Sequence, residues 1–273
     1  SSSDTKIVEL LEVAGSGEYE SNAQIESLIN NIPSAWAKYV AAQDVAGASE
    51  ANPVDMTLAI LNPDFALENI DNWTISAEAE GGKIGQNQGY QNNKVYTNDE
   101  AGIVIEQFVE AWRPDGATLT NGTISQQILA ALPEGYYSLE ADAFALNQKA
   151  VPAEGTSGVY LFASDGVNED MVSICVDATD PAGAPQHQTI QFYADGKSLF
   201  TIGIRVADTN ASWAVADNFT LKYLGTDAPS SIESAEAGSA AAAAIYTVGG
   251  IKASKMQKGI NIVKMDNGKV VKV

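Results

Sequence analysis

Ile124-Ser-Gln-Gln-Ile-Leu-Ala-Ala-Leu132 and Tyr136-Tyr-Ser-Leu-Glu-Ala-Asp-Ala-Phe-Ala-Leu146, joined by Pro133-Glu134-Gly135, decide the fold class of this chain. Both runs read as strands, and Pro followed by Gly is the local chemistry of a tight turn, so a β-hairpin is expected here. In the second run Tyr137, Leu139, Ala141, Ala143 and Ala145 alternate with Ser138, Glu140 and Asp142. Alternation with period two means a sheet packed on one face and wet on the other. The same pattern continues through Val159-Tyr-Leu-Phe-Ala163, Met171 to Val176, Gln188 to Tyr193, Leu199 to Val206 and Trp213 to Tyr223. The expectation is a mainly β chain centred on an antiparallel sandwich.

The same rule sorts the neighbouring strands. Phe200, Ile202, Ile204 and Val206 form an apolar face, leaving Arg205 on the opposite surface. Trp213, Val215, Asp217, Phe219, Leu221 and Tyr223 share a face by strict alternation, which sets a carboxylate among apolar residues. That is costly unless Asp217 finds donors or a cation, or unless a β-bulge turns it outward. Upstream, Asp55 to Phe65 reads as an edge strand ending at Asn62-Pro63. Gly81 to Asn93 reads as a long exposed loop carrying Tyr90, and Ile103 to Val109 as a strand ended by Glu110-Ala-Trp112.

Outside the sandwich, residues 5 to 46 have helical spacing, with Ser21 or Asn22 as N-cap and Pro33 as a kink or fresh start. Gly225 to Gly238 is a Ser-, Ala- and Glu-rich linker. Ile245 to Val248, Gly259 to Val263 and Lys269 to Val273 are short strands, with turns at Gly249-Gly250 and Asn267-Gly268. The expected organisation is a helical spacer over 1–50, the sandwich over 54–225, a linker over 226–243 and a small β-module over 244–273.

Charge narrows the partners. The chain carries a formal charge of −20. Six lysines against Asp266 make the segment from Ile245 onward +5, so the remainder carries −25. Nucleic acid and anionic membrane surfaces are excluded as natural partners. No apolar run approaches the roughly 20 residues of a membrane span. Cys175 and His187 are the only residues of their kinds, which removes disulfide frameworks, Cys/His zinc sites and histidine triads within one chain. Cys175, in a strand-like run, reads as a packed thiol, and His187 as a residue of a polar surface loop.

Asn62-Pro-Asp-Phe65 with Asn72-Trp73, Glu110-Ala-Trp112, Ser125-Gln-Gln-Ile128, Leu132-Pro-Glu-Gly-Tyr136 and Val215-Ala-Asp-Asn-Phe-Thr-Leu221 resemble, in order, the landmarks of galactose-binding-like jelly rolls, many of whose relatives are carbohydrate-binding modules. The likeness covers roughly Val54 to Gly225 and implies a surface or secreted protein of the Bacteroidetes. The tail, through Ile245 to Gly250, Lys258-Gly-Ile260 and Asn267-Gly-Lys269, is similar to type A sorting domains of type IX secretion. It departs from them at Ile251 and Asn261. The implied location is extracellular or at the outer-membrane surface.

The resemblance also implies a structural Ca2+ near the first and last strands, and the chain offers Asp64, Glu68 and Asp217 as hard oxygen ligands. A sugar site needs an aromatic platform ringed by forked polar side chains. The candidates are Tyr90, the best exposed platform, with Tyr96, Trp112, Glu140, Asp142 and Arg205; family likeness makes Trp73 and Trp112 core residues. Glu140 and Asp142, about 6.5–7 Å apart by strand rise, would also suit a glycosidase pair, although alternating acids are the ordinary pattern of a wet face. The reading is a non-catalytic module that binds a glycan or polysaccharide. The alternatives are a structural or adhesion protein that meets another surface protein, or an accessory domain of a larger glycan-degrading enzyme.

Overall fold

The computed structural model describes residues 9–10, 12–18, 21–78, 81–149, 155–175, 184–229, 242–247, 252–253, 261–265 and 270–272. The chain forms two compact units, Ser1–Asp227 and Ala228–Val273.

In the first unit, helix α1 (Asn22–Ala41) starts at Ser21, whose side chain accepts from the Gln24 amide. Pro33 lies inside the helix. Val40 enters the main core, Trp36 and Tyr39 pack against it, and the Trp36 indole donates to the Leu58 carbonyl. The last turns of α1 are therefore packed onto the sandwich.

The strands follow as β1 (Val54–Asp55), β2 (Thr74–Ala77), β3 (Asn87–Gln91), β4 (Tyr96–Asn98), β5 (Ile103–Ile105), β6 (Phe108–Trp112), β7 (Gly122–Gln127), β8 (Gly135–Leu146), β9 (Val159–Ser164), β10 (Glu169–Ser173), β11 (Gln186–Ala194), β12 (Thr201–Val206) and β13 (Trp213–Gly225). One sheet has the order β11-β8-β13-β6-β3, with β1 also on β13. The other has the order β10-β9-β12-β7-β2, and β4 pairs with β5 alone. All these pairings are antiparallel. The architecture is an antiparallel jelly-roll sandwich, and between its sheets lie Tyr137, Leu139, Ala141, Ala143 and Ala145 from β8 with Leu161, Ile202, Ile204 and Leu221.

Six sequence expectations are corrected. β7 and β8 do not form a hairpin, because they belong to opposite sheets. After β7, Ile128 and Leu132 turn inward to 1% exposure each, and the Ile128 amide bonds to Phe200. Gly135, at φ 144°, then fits against the Tyr223 ring, where a Cβ would lie 2.5 Å from Cε2. Pro-Gly chemistry bends the chain but does not say which sheet receives it.

The edge strand read over Asp55 to Phe65 is only β1. Asp55 accepts from the Thr57 amide, and the chain enters a 3-10 turn over Thr57–Ala59. The loop read over Gly81 to Asn93 contains β3, and the run Ile103 to Val109 divides into β5 and β6. His187 stands on β11, opposite Asp142.

The bulge considered for Asp217 is present, as a register shift between Asp217 and Thr220. It lets β13 change sides: Trp213 and Val215 face outward into a second cluster, while Phe219, Leu221 and Tyr223 face the main core. Cys175 packs partly buried against the core, and burial pushes its thiol up.

In the second unit, β14 (Ala242–Thr247), β15 (Lys252–Ala253), β16 (Asn261–Met265) and β17 (Val270–Lys272) pair in the order β15-β14-β16-β17. The turns expected at Gly249-Gly250 and Asn267-Gly268 lie outside the described residues. No helix among the described residues is long and apolar enough to cross a membrane.

Candidate functional site

The outer face of the β11-β8-β13-β6-β3 sheet is set by the alternation of its strands. In β6 Val109 and Ala111 go to the main core, which leaves Phe108, Glu110 and Trp112 outside. In β13 Ala214 and Ala216 go inward and Trp213 and Val215 outward; in β8 Phe144 and Leu146 are outward. Apolar side chains on an outer face need a cover, and the β4–β5 hairpin supplies it.

Tyr96, Ile103 and Ile105 close over Phe108, Phe144, Leu146, Trp213 and Val215 as a second buried cluster, with Trp112 packed at its margin. Tyr96 meets Phe108, Phe144 and Trp213 edge-on at centroid distances of 5.3, 5.2 and 5.3 Å. Each such pair adds about 0.5–1.5 kcal/mol beyond simple burial.

Beside this cover lies an open cleft of about 450 Å3, lined by Asn87, Asn93, Lys94, Tyr96, Glu110, Trp112, Gln148 and Trp213. Glu110 is its buried carboxylate, 7% exposed. Its Oε1 accepts from Asn87 Nδ2 at 2.6 Å and its Oε2 from Trp213 Nε1 at 2.9 Å. Burial pushes the Glu110 carboxyl up; the two hydrogen bonds pull it down and only partly offset the rise. Trp112 is held by its indole N–H, which donates to Gln148 Oε1. The Lys94 ammonium rests 4.9 Å from the centre of the Tyr96 ring. Burial pushes the Tyr96 hydroxyl up to about 12.

Further along β8 and β13 the same face turns polar. Lys222 Nζ donates to both oxygens of Glu140, at 2.9 and 2.7 Å, and His187 Nε2 lies 3.3 Å from Oε2. Burial raises the Glu140 carboxyl, but Lys222, Ser138 and His187 outweigh it and hold it below the usual range. Asp142 meets His187 Nδ1 at 2.9 Å and accepts from Asn218 Nδ2 at 3.0 Å. These two acids have partners of their own, apart from the cleft.

Among the sequence candidates, Tyr96 and Trp112 come together in the cleft, and Glu140 and Asp142 share its sheet face but lie beyond the hairpin. Tyr90 is not an exposed platform. It sits on β3 opposite Val109, packs on the main core, and has its hydroxyl buried without a partner. Arg205 belongs to β12 in the other sheet, bonded to Glu169 with its guanidinium over Phe162, so it takes no part in this face. Trp73 is a core residue, tilted against the rings of Phe65 and Phe219, which also meet each other edge-on.

Asp64, Glu68 and Asp217 do not assemble as one ligand set, since no group of three or more His, Cys, Asp or Glu among the described residues is placed to hold a metal. Of the three, Asp217 alone has a buried acceptor without a partner: it is 4% exposed and its Oδ1 makes no hydrogen bond. Asp64 lies near enough to push its carboxyl up. Glu68 stands exposed on the turn after Phe65.

Glu110, Asn87, Lys94, Asn93, Gln148 and Trp213 were not singled out from sequence. One signal was present: in Phe108-Val-Glu-Ala-Trp112, period two puts Phe108, Glu110 and Trp112 on one face. Asn87 was hidden because β3 reads as loop, and Gln148 because it lies past the end of β8.

No family model and no curated protein matches the chain. Among solved structures, the chain is similar to a CBM61 module in complex with β-1,4-galactotriose, at 19% identity over 60% of this chain and 96% of that one, with a TM-score of 0.38. A CBM22 xylan-binding domain from Paenibacillus barcinonensis shares 13% identity over 60% and 93%, at a TM-score of 0.37. An apo cyclase from Fischerella sp. shares 15% over 65% and 100%, at 0.44. What the cleft does must therefore be argued from its own side chains.

Proposed function

We propose that this cleft binds carbohydrate. The observation that carries the proposal is the convergence of a half-buried indole, Trp112, with a buried carboxylate, Glu110, and the amides of Asn87, Asn93 and Gln148 in one open cleft. A pyranose has an apolar C–H face and a rim of hydroxyls; the indole matches the first, and the carboxylate and amides match the second. A rigid, hydrogen-bonded wall limits the ordering cost of binding.

Binding rather than hydrolysis is favoured by the donor set. Glycoside hydrolysis generally needs two acids flanking the scissile bond, and Glu110 is the one carboxylate among the described residues that line the cleft. Export to the cell surface, expected from the tail's resemblance, belongs to the same proposal and is checked by fractionating cells that express the full-length protein. A Ca2+ ion at Asp217 belongs to it too; the orphaned Oδ1 beside Asp64 fits a hard cation.

The direct test is a broad glycan array with the purified chain, followed by titration of any hit with Trp112→Ala. A selective hit weakened about 30-fold or more by the substitution is expected, since central aromatic anchors are worth about 2 kcal/mol or more. A blank array with folded protein would overturn the proposal and favour a structural or adhesion role.

A further inference from the structure

We propose that the glycan preferred by this cleft carries a protonated amine: an amino sugar whose nitrogen is not acetylated. The proposal rests on the carbohydrate reading above and names the ligand class for the same site.

Two features of the cleft and one of the whole chain favour a cation. The first is Glu110, which lines the cleft 7% exposed and receives two neutral donors, Asn87 Nδ2 and Trp213 Nε1. A carboxylate has about four acceptor positions, so two remain. Its raised carboxyl shows that these two donors do not offset the loss of water. A charged donor does so better than a hydroxyl, because charge-assisted hydrogen bonds are about twice as strong.

The second feature is the ring set. Tyr96, Trp112 and Trp213 all line the cleft, and the faces of such rings attract ammonium groups within about 6 Å. The molecule supplies its own example: Lys94, an exposed side chain at the cleft, lays its ammonium 4.9 Å from the Tyr96 centroid. Among the described residues no carboxylate forms an ion pair with it, so the ring is the partner that the structure gives this cation. Since Lys94 already holds the Tyr96 ring, a ligand amine bonding Glu110 would make the same kind of contact with the half-buried ring of Trp112.

The third is the field of the whole chain, which carries −20. An acidic glycan would meet both that field and a poorly solvated carboxylate, with Lys94 as its single compensation. A net negative chain instead raises the local concentration of cationic ligands.

The experiment uses the full chain and calorimetric titration at fixed physiological salt. Oligosaccharides of equal length and linkage are compared: one with free amines, one with the same amines acetylated, and one with hydroxyls in their place, together with an oligouronate. The free-amine form should bind about tenfold or more tighter than both neutral forms, the scale of one partly desolvated cation–π contact together with a charge-assisted bond. Glu110→Gln should shrink that ratio to within about threefold. Glu12→Gln, which removes one charge from an exposed position outside the cleft, should leave the ratio unchanged.

Equal ratios in Glu110→Gln and Glu12→Gln would overturn the proposal, since the preference would then be general attraction of a polycation to an acidic protein. Tighter binding of a neutral or uronate oligomer, lost in Trp112→Ala, would overturn the amine preference and leave the carbohydrate reading standing. No binding by any oligomer, or binding untouched by Trp112→Ala, would defeat both. If Glu110→Gln fails to fold, the ratio is read in Trp112→Ala instead: a preference undiminished there is general attraction and overturns the proposal, and one reduced to within about threefold supports it.

Discussion

Asp217 sits under the bulge of β13 with one carboxylate oxygen, Oδ1, that has no partner. Burial pushes its carboxyl up to about 8; the Asn218 amide pulls the other way, and Asp64 and Asp142 add to the rise. An acid raised by folding binds more protons folded than unfolded between its ordinary value of about 3.9 and about 8. Stability is therefore highest below that window and falls as pH rises through it. In metal-free buffer Asp217→Asn should be more stable than the natural chain at about pH 8 and should flatten the decline from acid to neutral pH, as read by denaturant melts. Excess calcium should raise the Tm of the natural chain at the alkaline end and leave Asp217→Asn unmoved. Superimposable melts in calcium and in chelator would remove the metal from this position.

The β4–β5 hairpin is a short element held on the sheet by the buried side chains of Tyr96, Ile103 and Ile105. Tyr96 meets three aromatic rings of the outer face, and Asn98 and Asn218 add hydrogen bonds to Pro185 and Val104. Tyr96→Ala should cost about 3–5 kcal/mol in a chemical melt, the range for emptying an aromatic site, and should weaken any cleft ligand at the same time. A loss of stability with ligand affinity intact would show that the hairpin covers the cluster without shaping the cleft. In β12, Gly203 adopts φ +145°, and a Cβ there would lie 2.2 Å from the Ile124 carbonyl of β7. Gly203→Ala should therefore loosen the β12–β7 pairing, which amide exchange in those two strands would reveal. β8 could be read correctly from sequence, because its alternation runs unbroken from Tyr137 to Ala145. β13 could not, because its bulge exchanges the faces midway and strict alternation assigns Trp213 to the wrong one.

The whole chain divides into Ser1–Asp227 and Ala228–Val273, and the cleft lies wholly in the first unit. A chain ended after Asp227 should keep the main melting transition and any glycan affinity; loss of both would mean that the two units depend on each other for stability. The residues read in order decide that the molecule is a mainly β, antiparallel sandwich with a helical start and a separate basic tail. Alternation, turn residues and local charge are short-range properties, and each is complete within one strand or turn. Tertiary structure alone decides that β7 and β8 part to opposite sheets, that Tyr90 turns inward and Arg205 stands on the far sheet, and that Asn87, Glu110, Gln148 and Trp213 converge on Trp112. The physical reason is that period two is the same in either sheet and on either face. Which outer side chains stay wet depends on where the hairpin lies down, and that is set by contacts between rings distant in the chain.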